Sequence, residues 1–139
     1  MDGDELSNIP FDQLEVGLVR GPYIEHVSAH DSGLLAGRIG EPYVTTVAPP
    51  AVFPVLFLKA LRRSMGGIPA GSILAKQELE FWAELPVDSD VSVTTWVGER
   101  FVKRERPTVV IEFDVRDLMG DQIITGRKTI IWPTGPGEV

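Results

Sequence analysis

The chain has no cysteine in 139 residues, so disulfide frameworks, thiolate nucleophiles and zinc–thiolate sites are excluded at once. Positive charge is scarce: 13 Lys and Arg stand against 20 Asp and Glu, a net charge of −7. Such a surface offers no basic stripe to neutralise phosphates, and nucleic acid is not expected as a partner. No apolar run reaches the length of a membrane span, and the opening MDGDELSNIP is acidic and polar where a secretory signal would be basic and then apolar. These absences lead us to expect a cytoplasmic protein with no membrane contact. Histidine is scarce as well, with two in the chain, which leaves few positions for an imidazole base. The remainder is 43% hydrophobic and 24% charged, an ordinary globular composition, and the length allows one core and no second domain.

Residues 1–10 read as a flexible N-terminal arm and 134–139 as a tail. Tyr23–Val27 alternates apolar and polar residues and reads as a first strand. Ser28 and Asp31 have the form of a capping box, which places a short helix from Ala29 with Leu34 and Leu35 inward, stopped by Gly40 and Pro42. Tyr43–Val47 is expected to be extended. The run AVFPVLFLKALRRSM, Ala51–Met65, is apolar all round until Lys59, Arg62 and Arg63, the pattern of a buried helix. Pro54 predicts a distorted first turn and Gly66-Gly67 the end.

Beyond that helix the period changes to two. SILAKQELEFWAEL sets Ile73, Ala75, Gln77, Leu79, Phe81 and Ala83 on one face of a long half-buried strand. Val91, Val93, Thr95 and Val97 repeat the pattern, as do Val109, Ile111, Phe113 and Val115. QIITGRKTIIW follows the Met119-Gly120-Asp121 turn as the fourth long strand, with Gly126 as a bulge. One long helix and four antiparallel strands in meander order make an α+β layer fold, the curved sheet wrapping the helix.

In order, FDQLEVGLVRGPY, a short helix ending in IGEP, VAPPAVFP, AKQELEFWAELPVDSDVSVTTWVGE and VRDLMGDQIITGRKTIIWP resemble the MaoC-like dehydratases and hydratases. The likeness runs over residues 11–133 and is strongest to the N-terminal, catalytically incomplete half-domain of the two-module members. It implies a single hotdog domain that binds acyl-CoA or acyl-carrier-protein thioesters, without a cofactor, for addition or removal of water. Catalytic members carry G-D-x-N-P-x-H after the short helix, because one group must take a proton from water while another delivers one to the α-carbon. Here that place reads Gly40-Glu41-Pro42-Tyr43, with neither the Asn nor the His. Where catalytic members offer a backbone N–H to the thioester oxygen, Ala48-Pro49-Pro50 has two prolines with none to offer, leaving Ala51 and Val52 as donors.

The weak catalytic candidates are therefore His30, Asp31 and Glu41. His26 and His30 with Glu25 and Asp31 form an acid-flanked pair, but His26 precedes the helix cap, so the four-residue spacing does not set both rings on one face and no metal is expected. Ala51–Met65 contains no carboxylate, which argues against a hotdog thioesterase. Candidate substrate contacts are Ala51, Val52, Phe53 and Phe57, with Lys59, Arg62 and Arg63 on one helix face, read first as solvated cations at a helix C-terminus and second as contacts for CoA phosphates. Arg100, Lys103, Arg104 and Arg106 form a second basic group at a hairpin. Trp82, Trp96 and Trp132 are expected in strands as packing or interface residues. Phe53, Val55, Leu56, Phe57 and Leu58 are assigned to the core, part of it lining an acyl tunnel. Three readings stand open: a subunit that pairs, as homodimer or heterodimer, with a catalytic MaoC-like chain; a self-sufficient homodimeric hydratase using His30 with Asp31 or Glu41; and an acyl-thioester binding protein without a reaction.

Overall fold

The computed structural model describes residues 9–28 and 52–133, apart from the side chains of Val52, Phe53 and Pro54. The short helix expected from Ala29, the Tyr43–Val47 segment, most of the arm and the tail lie outside these residues. The described chain forms β1 (Arg20–Val27), α1 (Val52–Met65), β2 (Ile73–Phe81), β3 (Ser89–Lys103), β4 (Arg106–Asp117) and β5 (Gln122–Ile131). The strands make one antiparallel sheet in the order β1-β3-β4-β5-β2.

The expected meander therefore holds for β3, β4 and β5 and fails for β2, which pairs with β5 at the far edge. Burial explains the difference. The link from β2 to β3 carries Leu85, 1% exposed, into the core. Trp82 and Ala83 at its start donate N–H bonds to the Ile123 carbonyl on β5, and Asp88 at its end donates to Val27 on β1. A tight hairpin would have left Leu85 outside. The β3–β4 turn is such a hairpin: Arg104 and Glu105 both take positive φ, 52° and 65°, the handedness a two-residue turn needs.

Helix α1 lies on one face of the sheet, packed mainly on β1 and β3. Leu56, Phe57, Ala60, Leu61, Ser64 and Met65 are its buried stripe, the i, i+1, i+4, i+5 spacing of one helix face. Its apolar sequence is not buried all round, as expected from its composition, because the sheet covers one side only: Val55 and Leu58 are 38% and 50% exposed. Pro54 falls in the first turn, where the missing N–H removes no intrahelical bond. At the other end Gly66 and Gly67 turn left-handed and return N–H bonds to Arg62 and Leu61, and Arg20 donates from Nη1 to the Ser64 carbonyl at 3.0 Å.

The inward residues expected on β3 and β4 are all buried, from Val91 to Val97 and from Val109 to Val115. The half-buried face expected for β2 is instead mostly exposed: Ile73, Leu74 and Phe81 are each more than half exposed and Leu79 alone is part-buried. Its period-two pattern is also broken by a register shift between Leu74 and Lys76. The strand sits at the edge away from α1, so no described helix residue covers it.

Gly126 is not a bulge, since its pairings with Leu79 and Phe113 continue in register on both sides. Its missing Cβ makes room for a ring: an added Cβ would lie 2.5 Å from Phe113 Cζ and 2.8 Å from Leu79 Cδ2. Phe113 in turn meets Phe57 of α1 with ring centroids 4.6 Å apart. Gly126→Ala should displace that ring and lower the unfolding free energy by about 1–3 kcal/mol, the usual scale for overpacking. Urea titration would read the change, and an unaltered midpoint would show that the Phe113 seat relaxes freely.

Candidate functional site

Of the residues singled out in the sequence, His30, Asp31, Glu41 and Ala51 lie outside the described residues, and Val52 and Phe53 contribute only backbone to α1. Phe57 is fully buried and touches the core. The three cations of α1 separate by role. Lys59 and Arg62 are exposed. Arg63 is occupied by β1: its Nη1 donates to the Ile24 carbonyl and to Glu25 Oε2, both at 2.9 Å, and its guanidinium lies 4.9 Å from the Tyr23 ring centroid. A phosphate contact from Arg63 would have to displace a charge-assisted bond.

The second basic group sits at the β3–β4 hairpin as expected, and Arg100 is structural there. It donates to the Phe11 carbonyl at 3.1 Å and lies 5.6 Å from the Phe11 ring, fixing the Phe11–Gln13 turn against β3. His26 is on β1 and exposed, with Nδ1 2.8 Å from Asp90 and Nε2 3.8 Å from Asp88. No group of three metal-ligating side chains occurs among the described residues. Trp96 is in β3, while Trp82 and Trp132 fall just past strand ends. Trp132 is buried, and Trp82, 57% exposed, donates from Nε1 to Thr125.

The residue that sequence reasoning missed is Lys128. It is 6% exposed, and its Nζ stands 4.3 Å over the Phe57 ring centroid. It pairs across the sheet with Ile111 and Gln77. No carboxylate or carbonyl meets its ammonium among the described residues. Burial without a counter-ion pushes its pKa below the ordinary lysine value. The signal was present in the strand: Ile124, Gly126, Lys128 and Ile130 share one phase, so the alternation that put the isoleucines inside put the lysine inside with them.

On the opposite face of the sheet a groove of about 400 Å³ is lined by Glu80, Trp96, Asp114, Arg116 and Thr125, among others. Its two arginines are already paired. Arg127 reaches Glu99 at 2.9 Å, Glu112 at 3.6 Å and Glu78 at 3.9 Å, and Arg116 holds Asp114 at 2.7 Å. Lys76, hydrogen-bonded to Glu78, keeps that carboxyl below its usual range. Exposed networks of this kind contribute little and need no ligand. Beneath the end of α1, a void of about 10 Å³ among Leu14, Arg20, Leu61 and Thr95 has room for no more than one water.

A five-stranded sheet in the order β1-β3-β4-β5-β2 with one helix laid on it can be compared directly with solved structures. The MaoC-like dehydratase from Rhodospirillum rubrum superposes with a TM-score of 0.74 at 16% identity, over 92% of this chain and 99% of that one. The fold is the hotdog fold. The R-hydratase PhaJ1 from Pseudomonas aeruginosa matches with a TM-score of 0.72 at 23% identity, over 92% and 88% of the two chains. The HadBC (3R-hydroxyacyl-ACP dehydratase) complex from Mycobacterium tuberculosis gives 0.70 at 12% identity, over 84% and 96%. No family model and no curated protein matches the chain by sequence. On this hotdog domain Lys128 lies on the sheet face that carries α1, beside the stack of Phe57 on Phe113.

Lys128 also sets a pH dependence. With its pKa lowered on folding, the unfolded chain binds more protons below the ordinary lysine range, so the penalty for burying the charge is present at neutral pH and fades as pH rises. Lys128→Met should therefore raise the melting temperature at pH 7 and raise it less near pH 10. A variant less stable than the original chain at pH 7 would show that the contact with Phe57 outweighs desolvation.

Proposed function

We propose that the chain is the acyl-thioester-binding subunit of an enoyl hydratase or 3-hydroxyacyl dehydratase, incomplete alone and completed by a MaoC-like chain that supplies the catalytic Asp and His. The reading is carried by one combination: a hotdog domain whose neighbours are named hydratases and dehydratases, and a sequence in which the hydratase Asn and His are missing at Gly40–Tyr43. His26, the one histidine among the described residues, is exposed and bonded to Asp90, so it supplies no base on the α1 face. The HadBC neighbour is itself a complex, which supports pairing as the way such a domain completes a site. Without an acid–base pair the chain would still contribute the helix start and the apolar surface along which an acyl chain lies.

In the test, the purified chain alone is given a trans-2-enoyl-CoA and is expected to turn it over well below about 1 per second, an ordinary enzyme rate. Mixed with a partner carrying G-D-x-N-P-x-H, it should raise the rate or extend the acyl length accepted. Ordinary turnover by the chain alone, abolished by His30→Ala, would overturn the proposal in favour of a self-sufficient homodimer.

Pairing has a surface to use. The β2 edge shows Ile73, Leu74, Phe81 and Trp82, and α1 shows Val55 and Leu58, a set of exposed apolar groups of the kind a partner chain covers. Sedimentation should show an assembly that Leu74→Glu with Phe81→Glu reduces to monomer. A stable monomer of the unsubstituted chain at micromolar concentration, soluble without a partner, would remove β2 as an interface.

A further inference from the structure

We infer that Lys128 is the counter-ion for a carboxylate carried on the acyl chain of the substrate, so that the thioester this domain binds is a carboxyacyl thioester and not one of a plain hydrocarbon chain. The inference rests on the acyl-thioester reading above. Strand register fixes the surroundings of the ammonium: Ile111 on β4 and Gln77 on β2 stand across from it, Gly126 and Ile130 share its face along β5, and Phe57 covers it from α1. None of these carries a negative charge. A lysine 6% exposed with an aromatic face as its sole described polar contact holds a charge that no described residue neutralises, and such groups are stable when a counter-ion arrives. The aromatic face compensates only in part.

Two further features fit an anion. Side chains on a helix lean toward its N-terminus, so the Phe57 ring, and Lys128 beneath it, lie against the first turns of α1. That end of a helix carries the positive pole of its backbone dipole, and α1 has no acidic residue in its first turn. The approach is apolar and open in the single chain: on the face Lys128 shares, Gln77 next to it is exposed, and Leu74 and Phe81 are 54% and 51% exposed along β2. An acyl chain held in the seam between that strip and the subunit paired on β2 would bring a terminal carboxylate to the ammonium, with its methylenes on Leu74, Leu79 and Phe81.

The experiment is calorimetric titration of the full chain, in the assembly it forms, with two saturated and therefore unreactive thioesters of equal length, hexanoyl-CoA and adipyl-CoA. The unsubstituted chain should bind adipyl-CoA more tightly. Lys128→Met should lose roughly 30-fold or more for adipyl-CoA, the effect of removing one partner of a buried charge pair, and change little for hexanoyl-CoA. Should Lys128→Met fail to fold, Lys128→Gln, which keeps a polar end, takes its place. Equal effects on the two ligands, or none on either, would overturn the role of Lys128 while leaving acyl-thioester binding intact. Binding of neither ligand by the unsubstituted chain would overturn the acyl-thioester reading and this inference with it.

Discussion

The seat of Phe57 is the contact on which the layered arrangement depends. One ring joins α1 to the two central strands beneath it: it meets Phe113 of β4 at 4.6 Å and carries the ammonium of Lys128 of β5 at 4.3 Å. Phe113 can lie flat enough to receive it because Gly126 leaves the space a Cβ would fill. Four residues on three elements thus set the height of the helix over the sheet. The C-terminal end of the helix is fixed separately, by Arg20 on the Ser64 carbonyl and by Arg63 on Glu25 and Tyr23, so β1 holds the C-terminal half while β4 and β5 receive the N-terminal half.

A consequence is that the covering of the sheet is unequal. Helix α1 stands mainly over β1 and β3, and β2, at the other edge, keeps most of its side chains in solvent. In a domain of this size an exposed apolar edge is a place where another chain or a ligand gains by binding, since covering it removes apolar area from water. The charged face behaves differently. Its arginines and carboxylates pair among themselves, which keeps that side polar without giving it a task. On the α1 face a cation with no counter-ion among the described residues adjoins an exposed apolar strip.

Lys128 illustrates how a residue held against stability marks a site. Desolvation opposes its charge, and an apolar side chain of similar length would fill the place at lower cost. A lysine there makes physical sense when something negative reaches it. The three cations of α1 are the reverse case: Arg63 is fully engaged within the fold, and Lys59 and Arg62 are ordinary solvated charges at the end of a helix.

What the sequence determined by itself was set by period and composition. The alternation in β3 and β4 placed Val91 to Val97 and Val109 to Val115 inward because a strand facing one core has no other way to bury them. The apolar run before Gly66-Gly67 specified α1, and the absence of histidine from Gly40–Tyr43 is a fact of the sequence alone. Only the tertiary structure decided which strand lies beside which, since the β2–β3 link moved β2 to the far edge in order to bury Leu85, a long-range choice that local pattern does not encode. It also decided the role of Gly126, which depends on a ring from another strand, and the exposure of one side of α1, which depends on how far one sheet reaches. Lys128 falls between the two: its inward phase was written in the strand, but that it would meet Phe57 and no counter-ion among the described residues was fixed by a residue 71 positions away in the chain and by two neighbouring strands.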